Sequence, residues 1–189
     1  MERFILASAS PRRRRLLAEA GYDFEVVPPP VEEPRSLSDG LMPSRQAEAL
    51  AYFKARSVAE RARRAVVLGA DTVVAASGKI LGKAADEAEA RAMLDELAGI
   101  RHAVITGVTL LRPGGKRTMT SVLTWVTMRP MSREEIDAYV ASGEWVGKAG
   151  AYAIQESADR YVERVEGSWT NVVGLPMEWV TRLLGPAES

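Results

Sequence analysis

The feature that most constrains this chain is its opening passage from strand to helix, Phe4-Ile5-Leu6-Ala7-Ser8-Ala9-Ser10-Pro11-Arg12-Arg13-Arg14-Arg15-Leu16-Leu17. Phe4, Ile5 and Leu6 read as a short buried strand. Ser10 is a favoured N-cap, and Pro11 falls at the first helical position, where a missing N–H costs nothing. The helix is expected to run to about Ala20 and to stop at Gly21. A helix N-terminus carries partial positive charge and unpaired N–H groups, so arginines in its first turn sit at the unfavourable end. An anion would explain them, because a small-residue loop feeding a helix N-terminus is a physical recipe for holding phosphate. The alternative is a solvated basic run on a surface helix. With Leu16 and Leu17 facing the core, Arg13 lies on the same face, Arg15 lies opposite, and Arg12 and Arg14 flank.

Such a basic site has to be local. The 189 residues carry 25 lysines and arginines against 25 aspartates and glutamates, so there is no bulk attraction to nucleic acid or to an anionic membrane. At 47% hydrophobic residues the chain has ample core for one domain, expected to have two lobes. The absence of cysteine excludes disulfides, thiolate nucleophiles and Cys-based zinc sites. The single histidine, His102, excludes multi-His metal centres and reads as a structural hydrogen-bonder. The tryptophans read as core or interface. With no disulfide framework and no signal-peptide pattern, the cytoplasm is the expected compartment. No apolar run approaches membrane-spanning length.

Along the chain, Phe24 to Val27 alternates like a strand and Pro28-Pro29-Pro30 ends it. Glu33 follows in a proline-braced loop. A long helix is expected over about 44–64, and an apolar strand over 66–75 with a turn at Ser77-Gly78. Asp86 with Glu89 starts a helix ending near Ala98-Gly99. Residues 102–111 and 118–128 read as a hairpin about Pro113-Gly114-Gly115. Ser132 and Glu135 form a capping box for a helix reaching Ala141, which Ser142-Gly143 breaks. Residues 161–165 and 170–173 read as strands, and a last helix begins near Pro176. Helices and strands alternate, which makes the class α/β with a mixed sheet.

Several residues break these patterns. Asp71 lies between Val66-Val67-Leu68 and Val73-Val74, where an unpaired buried charge would cost several kcal/mol. It reads either as a structural salt bridge or turn cap, or as a metal ligand or general base. Lys54 falls in the middle of the apolar stripe Ala47, Leu50, Ala51 and Val58. It either snorkels to solvent or turns inward, to neutralise phosphate or pair with Asp71. Gly78-Lys79-Ile80-Leu81-Gly82-Lys83 approaches a P-loop but is one residue short and lacks the following Ser or Thr, so a plain turn competes. Glu33 is either a solvated acid or a partner of Asp71 for one divalent cation, since Mg²⁺ takes one or two carboxylates with water and phosphate oxygens. Gln155 ends the glycine-punctuated segment 142–155; it is either an ordinary polar residue or an amide that reads a nucleobase edge.

Taken together, Leu6-Ala7-Ser8-Ala9-Ser10-Pro11-Arg12-Arg13, Gly69-Ala70-Asp71-Thr72, Gly82-Lys83, His102 with Thr106-Gly107, and Ser142-Gly143-Glu144 with Lys148-Ala149-Gly150-Ala151-Tyr152-Ala153-Ile154-Gln155 resemble the Maf nucleoside triphosphate pyrophosphatases. The resemblance runs essentially end to end. It implies an elongated α/β fold with a mixed sheet, flanking helices and a central cleft, similar to the inosine triphosphatases. It implies hydrolysis of nucleoside triphosphates to monophosphate and pyrophosphate with a divalent cation, Mg²⁺ or Mn²⁺, and a cytoplasmic homodimer. Asp71 matches the catalytic acid, and Ser8, Arg13, Glu33, Lys54 and Lys83 match the phosphate and metal pocket. Arg12, Thr72 and Gln155 match positions that mark the dTTP/UTP-preferring branch. Ala84 departs from the proline that usually follows the lysine of Gly82-Lys83. Two rival readings stay open: a pyrophosphatase for modified or non-pyrimidine nucleotides, and a nucleotide-binding regulator of septum formation with little turnover.

Overall fold

A computed structural model of the chain describes residues 3–30 and 41–187. Its strands are β1 (Phe4–Ala7), β2 (Phe24–Val26), β3 (Val66–Ala76), β4 (Lys79–Leu81), β5 (Arg101–Leu111), β6 (Arg117–Met128) and β7 (Val162–Glu166). The helices are α1 (Pro11–Glu19), α2 (Pro43–Ala59), α3 (Glu87–Leu97), α4 (Arg133–Ala141), α5 (Trp169–Val173) and α6 (Met177–Leu184). One sheet runs β2-β1-β3-β5-β6-β7, with β4 paired to β3 off that path. β1 is parallel to both β2 and β3, and every other pairing is antiparallel. The mixed sheet with flanking helices is the expected fold class. No helix among the described residues is long and apolar enough to cross a membrane.

The two faces of the sheet are covered differently. α2 packs over one face, against Val73, Ala103 and Ile105 from its Ala47 and Leu50, and against Ala7 and Val67 from Ala55 and Val58. The other face carries two apolar packets. One gathers Phe4, Leu6, Leu17, Leu68, Ala70, Val108 and Leu110 beneath α1 and α6. The other gathers Val74, Val104, Val126, Met128, Leu94 and Tyr139 beneath α3 and α4. Along β3 and β5 the packets are separated by one polar row, Thr72 opposite Thr106. Hydroxyls placed between buried apolar side chains need hydrogen-bond partners, and this row has them.

Most local expectations hold, and three need correction. α2 ends at Ala59 rather than near 64. Its apolar stripe finishes at Val58, and the following Arg61, Arg63 and Arg64 have nothing to bury. The backbone tightens instead into i→i+3 bonds, Arg61 N–H to Val58 and Ala65 N–H to Ala62, and turns into β3. Residues 170–173 are not a strand but part of α5. Their β-branched composition suggested a strand, yet Ser168 caps a helix by accepting from the Asn171 N–H at 3.1 Å. Residues 79–81, expected to belong to a turn or a P-loop approach, form β4, a short antiparallel strand that follows the Ser77-Gly78 turn. Of the tryptophans, Trp145 is core, while Trp125 and Trp169 are exposed.

Candidate active site

The site begins where β1 hands over to α1. Ser10 caps the helix as expected, Pro11 occupies its first turn, and Arg13 is buried while Arg14 and Arg15 are exposed. A buried guanidinium has to be satisfied by acceptors. Arg13 Nη1 donates to Ser8 Oγ at 3.3 Å, Nε to the Gly174 carbonyl at 2.7 Å, and Nη2 to Thr72 Oγ1 at 3.0 Å. Ser8 is itself buried and also accepts the Ser10 N–H at 3.2 Å. The loop, the helix terminus and the guanidinium are thereby tied into one unit.

The second half of the site lies under α2. Lys54 turns inward, and its Nζ meets Asp71 Oδ1 at 2.5 Å with both side chains 7% exposed or less. The helix can approach this closely because two glycines underlie it. A Cβ on Gly107, the register partner of Asp71, would sit 2.2 Å from the Ala47 carbonyl oxygen, and one on Gly69 would sit 2.4 Å from that of Ala51. Asp71 and Thr72 are consecutive in a strand and point to opposite faces. They meet at an opening in the sheet: β1 pairs with β3 only as far as Gly69, and β4 begins to pair at Val74. The edge from Ala70 to Val73 is left uncovered between them by any described strand. Ser8 lies at one margin of this opening, where β1 ends. Gly82 and Lys83, which continue β4, lie at the other.

Residues 3–187 match the family described as Maf-like protein. The chain belongs to the Maf family. It is 46% identical to the dTTP/UTP pyrophosphatase of Moorella thermoacetica, over 97% of this chain and 94% of that protein. It is 48% identical to the dTTP/UTP pyrophosphatase of Salinibacter ruber, over 95% of this chain and 88% of that protein. Among solved structures, the Ham1 protein of Staphylococcus aureus aligns with a TM-score of 0.54 at 14% identity, over 97% and 98% of the two chains. A HAM1 protein from Coxiella burnetii aligns with a TM-score of 0.54 at 17% identity, over 99% and 100%. At such low identity these structures speak to the fold alone, and they agree with the inosine-triphosphatase-like architecture expected for a Maf chain.

The other residues singled out in the sequence fall on several elements. Arg12 is half-buried; burial lowers its guanidinium pKa, partly countered by the nearby Glu156 and Tyr139. The segment of Gln155 and Glu156 therefore faces the start of α1. Both polar atoms of the Gln155 amide are buried, with no hydrogen-bond partner among the described residues. Lys83 is exposed and forms an isolated bridge with Ala149, beside a Gly150 N–H to Gly82 carbonyl bond of 2.9 Å. This seats the segment 147–150 against the end of β4 and turns the P-loop-like glycines into a plain turn and bridge. Glu33 lies outside the described residues. His102 is structural, as read: it is fully buried, with Nε2 at 2.8 Å from the Tyr152 hydroxyl.

Sequence reasoning missed Asn171 and Gly174, which reach the site from α5 and its end. Thr106 appeared only as part of a motif, without a role. For Asn171 there was no usable signal, because its segment reads as a strand. Among the described residues no three acids or histidines gather into a metal cluster. Asp71 is nonetheless a hard carboxylate donor in a site without His or Cys ligands. That donor set fits Mg²⁺ or Mn²⁺, whose remaining positions water and phosphate oxygens can fill. Open concavities do exist elsewhere, one lined by Arg3, Arg61, Arg63 and Arg64 at the opposite end of β1 and β3. It contains none of the candidate site residues.

Proposed function

We propose that this chain hydrolyses nucleoside triphosphates, with dTTP and UTP as the expected substrates, to the nucleoside monophosphate and pyrophosphate. The observation that carries the reading is the convergence of two buried assemblies on one opening in the sheet. Arg13 is held at the start of α1 by Ser8, Thr72 and Gly174, and Asp71 is paired with Lys54 beside Thr72. The dTTP/UTP pyrophosphatase names of the relatives support the same substrates.

Water attacks the α-phosphorus, the new P–O bond forms as the bond to the β-phosphate oxygen breaks, and pyrophosphate leaves. A triphosphate brings about four negative charges, and such reactions depend mainly on positioning and charge stabilisation. Ser8, Arg13, Lys54 and Lys83 bind the phosphate oxygens. Asp71, its carboxylate fixed by the Lys54 hydrogen bond, orients the water and accepts its proton. A divalent cation held by Asp71, with Glu33, would supply charge neutralisation on the phosphates. Arg12, Thr72 and Gln155 select the base, the unpartnered Gln155 amide offering both a donor and an acceptor. Two lobes around a cleft, a cytoplasmic location and a homodimer belong to the same proposal.

The test is a panel of triphosphates with Mg²⁺ and product identification. Pyrophosphate release, fastest from dTTP and UTP, is expected. Release of orthophosphate would move the cleavage to the γ-position, and tight binding without turnover would favour a regulator.

A further inference from the structure

We infer that Thr106 and the Asn171 backbone carbonyl are positioning elements that aim the Arg13 guanidinium by fixing the direction of the hydroxyl chain it rests on. The inference rests on the triphosphatase reading above, since it concerns how Arg13 meets a phosphate chain. It starts from a proton inventory. Thr106 Oγ1 lies 3.0 Å from the Asn171 carbonyl oxygen. A carbonyl only accepts, so Thr106 donates its one hydroxyl proton there. Thr106 Oγ1 is also 2.9 Å from Thr72 Oγ1, and with its own proton committed it must accept in that contact. Thr72 therefore donates to Thr106, and Thr72 Oγ1 accepts from Arg13 Nη2 at 3.0 Å. The chain runs one way, from Arg13 through Thr72 and Thr106 to the Asn171 carbonyl, and Thr72 has no proton left to offer a ligand.

The far end of this chain is rigidly held. Thr106, Thr124 and Asn171 are fully buried. Asn171 Nδ2 donates to the Val104 carbonyl at 3.0 Å and to Thr124 Oγ1 at 2.9 Å, fastening α5 to β5 and β6. The residue that ends α5, Gly174, has φ +127°, a conformation that favours glycine, and its carbonyl takes the Arg13 Nε proton at 2.7 Å. Arg13 is thus gripped at two points by one short helix, once directly and once through two hydroxyls. In a buried site such a chain holds its polarity, because reversing one member leaves another unsatisfied.

The experiment compares Thr106→Val, nearly equal in volume but without the hydroxyl, with Thr106→Ser, which keeps it. KM and kcat are measured with UTP, and the inhibition constant is measured for inorganic tripolyphosphate, which has no base or sugar. Thr106→Val is expected to raise KM and the tripolyphosphate inhibition constant each by about tenfold, as for one hydrogen bond to a charged group, with kcat within about threefold. Thr106→Ser is expected to restore both. Thermal unfolding of each variant separates a loss of folded enzyme, which lowers kcat at unchanged KM, from misplacement of Arg13. An unchanged tripolyphosphate inhibition constant in folded Thr106→Val would overturn the inference while leaving the functional reading intact. Absence of pyrophosphate release from the unmodified chain would overturn that reading, and this inference with it.

Discussion

Asp71 shows how much a single residue can carry. Its buried pairing with Lys54 means that two charges were taken out of water and set against each other. Removing Lys54 takes from the buried Asp71 carboxylate the cation that faces it. Lys54→Met is expected to destabilise the fold by about 3–5 kcal/mol in chemical denaturation. Asp71→Asn keeps an acceptor for Lys54 but cannot take a proton, and it offers a cation only a neutral oxygen. Turnover is expected to fall at least about 100-fold, with the fold and much of the nucleotide affinity retained. Wild-type-like turnover in folded Asp71→Asn would remove Asp71 from the mechanism. Both residues stood out in the sequence because each put a charge where the local pattern asks for an apolar side chain. The sequence left open which partner each would find.

At the scale of elements, the position of α2 decides whether that pair can form. The helix lies on glycines, and Gly107→Ala would drive a methyl group to 2.2 Å from the Ala47 carbonyl oxygen. A backbone contact cannot yield by changing a rotamer, so the cost is expected at or above about 3 kcal/mol, the upper end for overpacking. Midpoint and turnover should fall together, as α2 carries Lys54 away from Asp71. α4 offers a test through pH. Hydrogen bonds from Arg129 and then from the Ser132 N–H hold the Glu135 carboxyl down at about 2, against an ordinary 4.5. A depressed carboxylate stabilises above its ordinary value and loses that contribution as pH falls through the folded one. The capping box should therefore weaken between about pH 4.5 and pH 2, an interval in which Glu135→Gln shows no matching loss. Caps of this kind were legible from Ser132 and Glu135 alone. α5 was not, because its cap at Ser168 competes with a β-branched run, and only the fit of Asn171 between β5 and β6 decides the outcome.

In the whole molecule, α2 covers one sheet face, and on the other two apolar packets are joined across a polar row that Arg13 and Asn171 satisfy. His102 belongs to the packet beneath α3 and α4, where burial pushes its pKa from 6.5 down to about 4. The folded state therefore prefers the neutral ring. Its contribution is complete above about pH 6.5 and is lost as pH falls towards and through about 4. The thermal midpoint should decline over that interval in the unmodified chain, and more shallowly in His102→Gln, which hydrogen-bonds without titrating. The sequence by itself determined the α/β class, the strand-to-helix opening, the caps and the charged residues out of place, because these follow from periodicity and from the neighbours along the chain. Only the tertiary structure decided that Lys54 meets Asp71, that Arg13 is locked by a carbonyl at Gly174, and that no described strand covers the β3 edge from Ala70 to Val73. Those outcomes depend on where separate strands stop pairing and on contacts between segments far apart in sequence, and no local pattern encodes them.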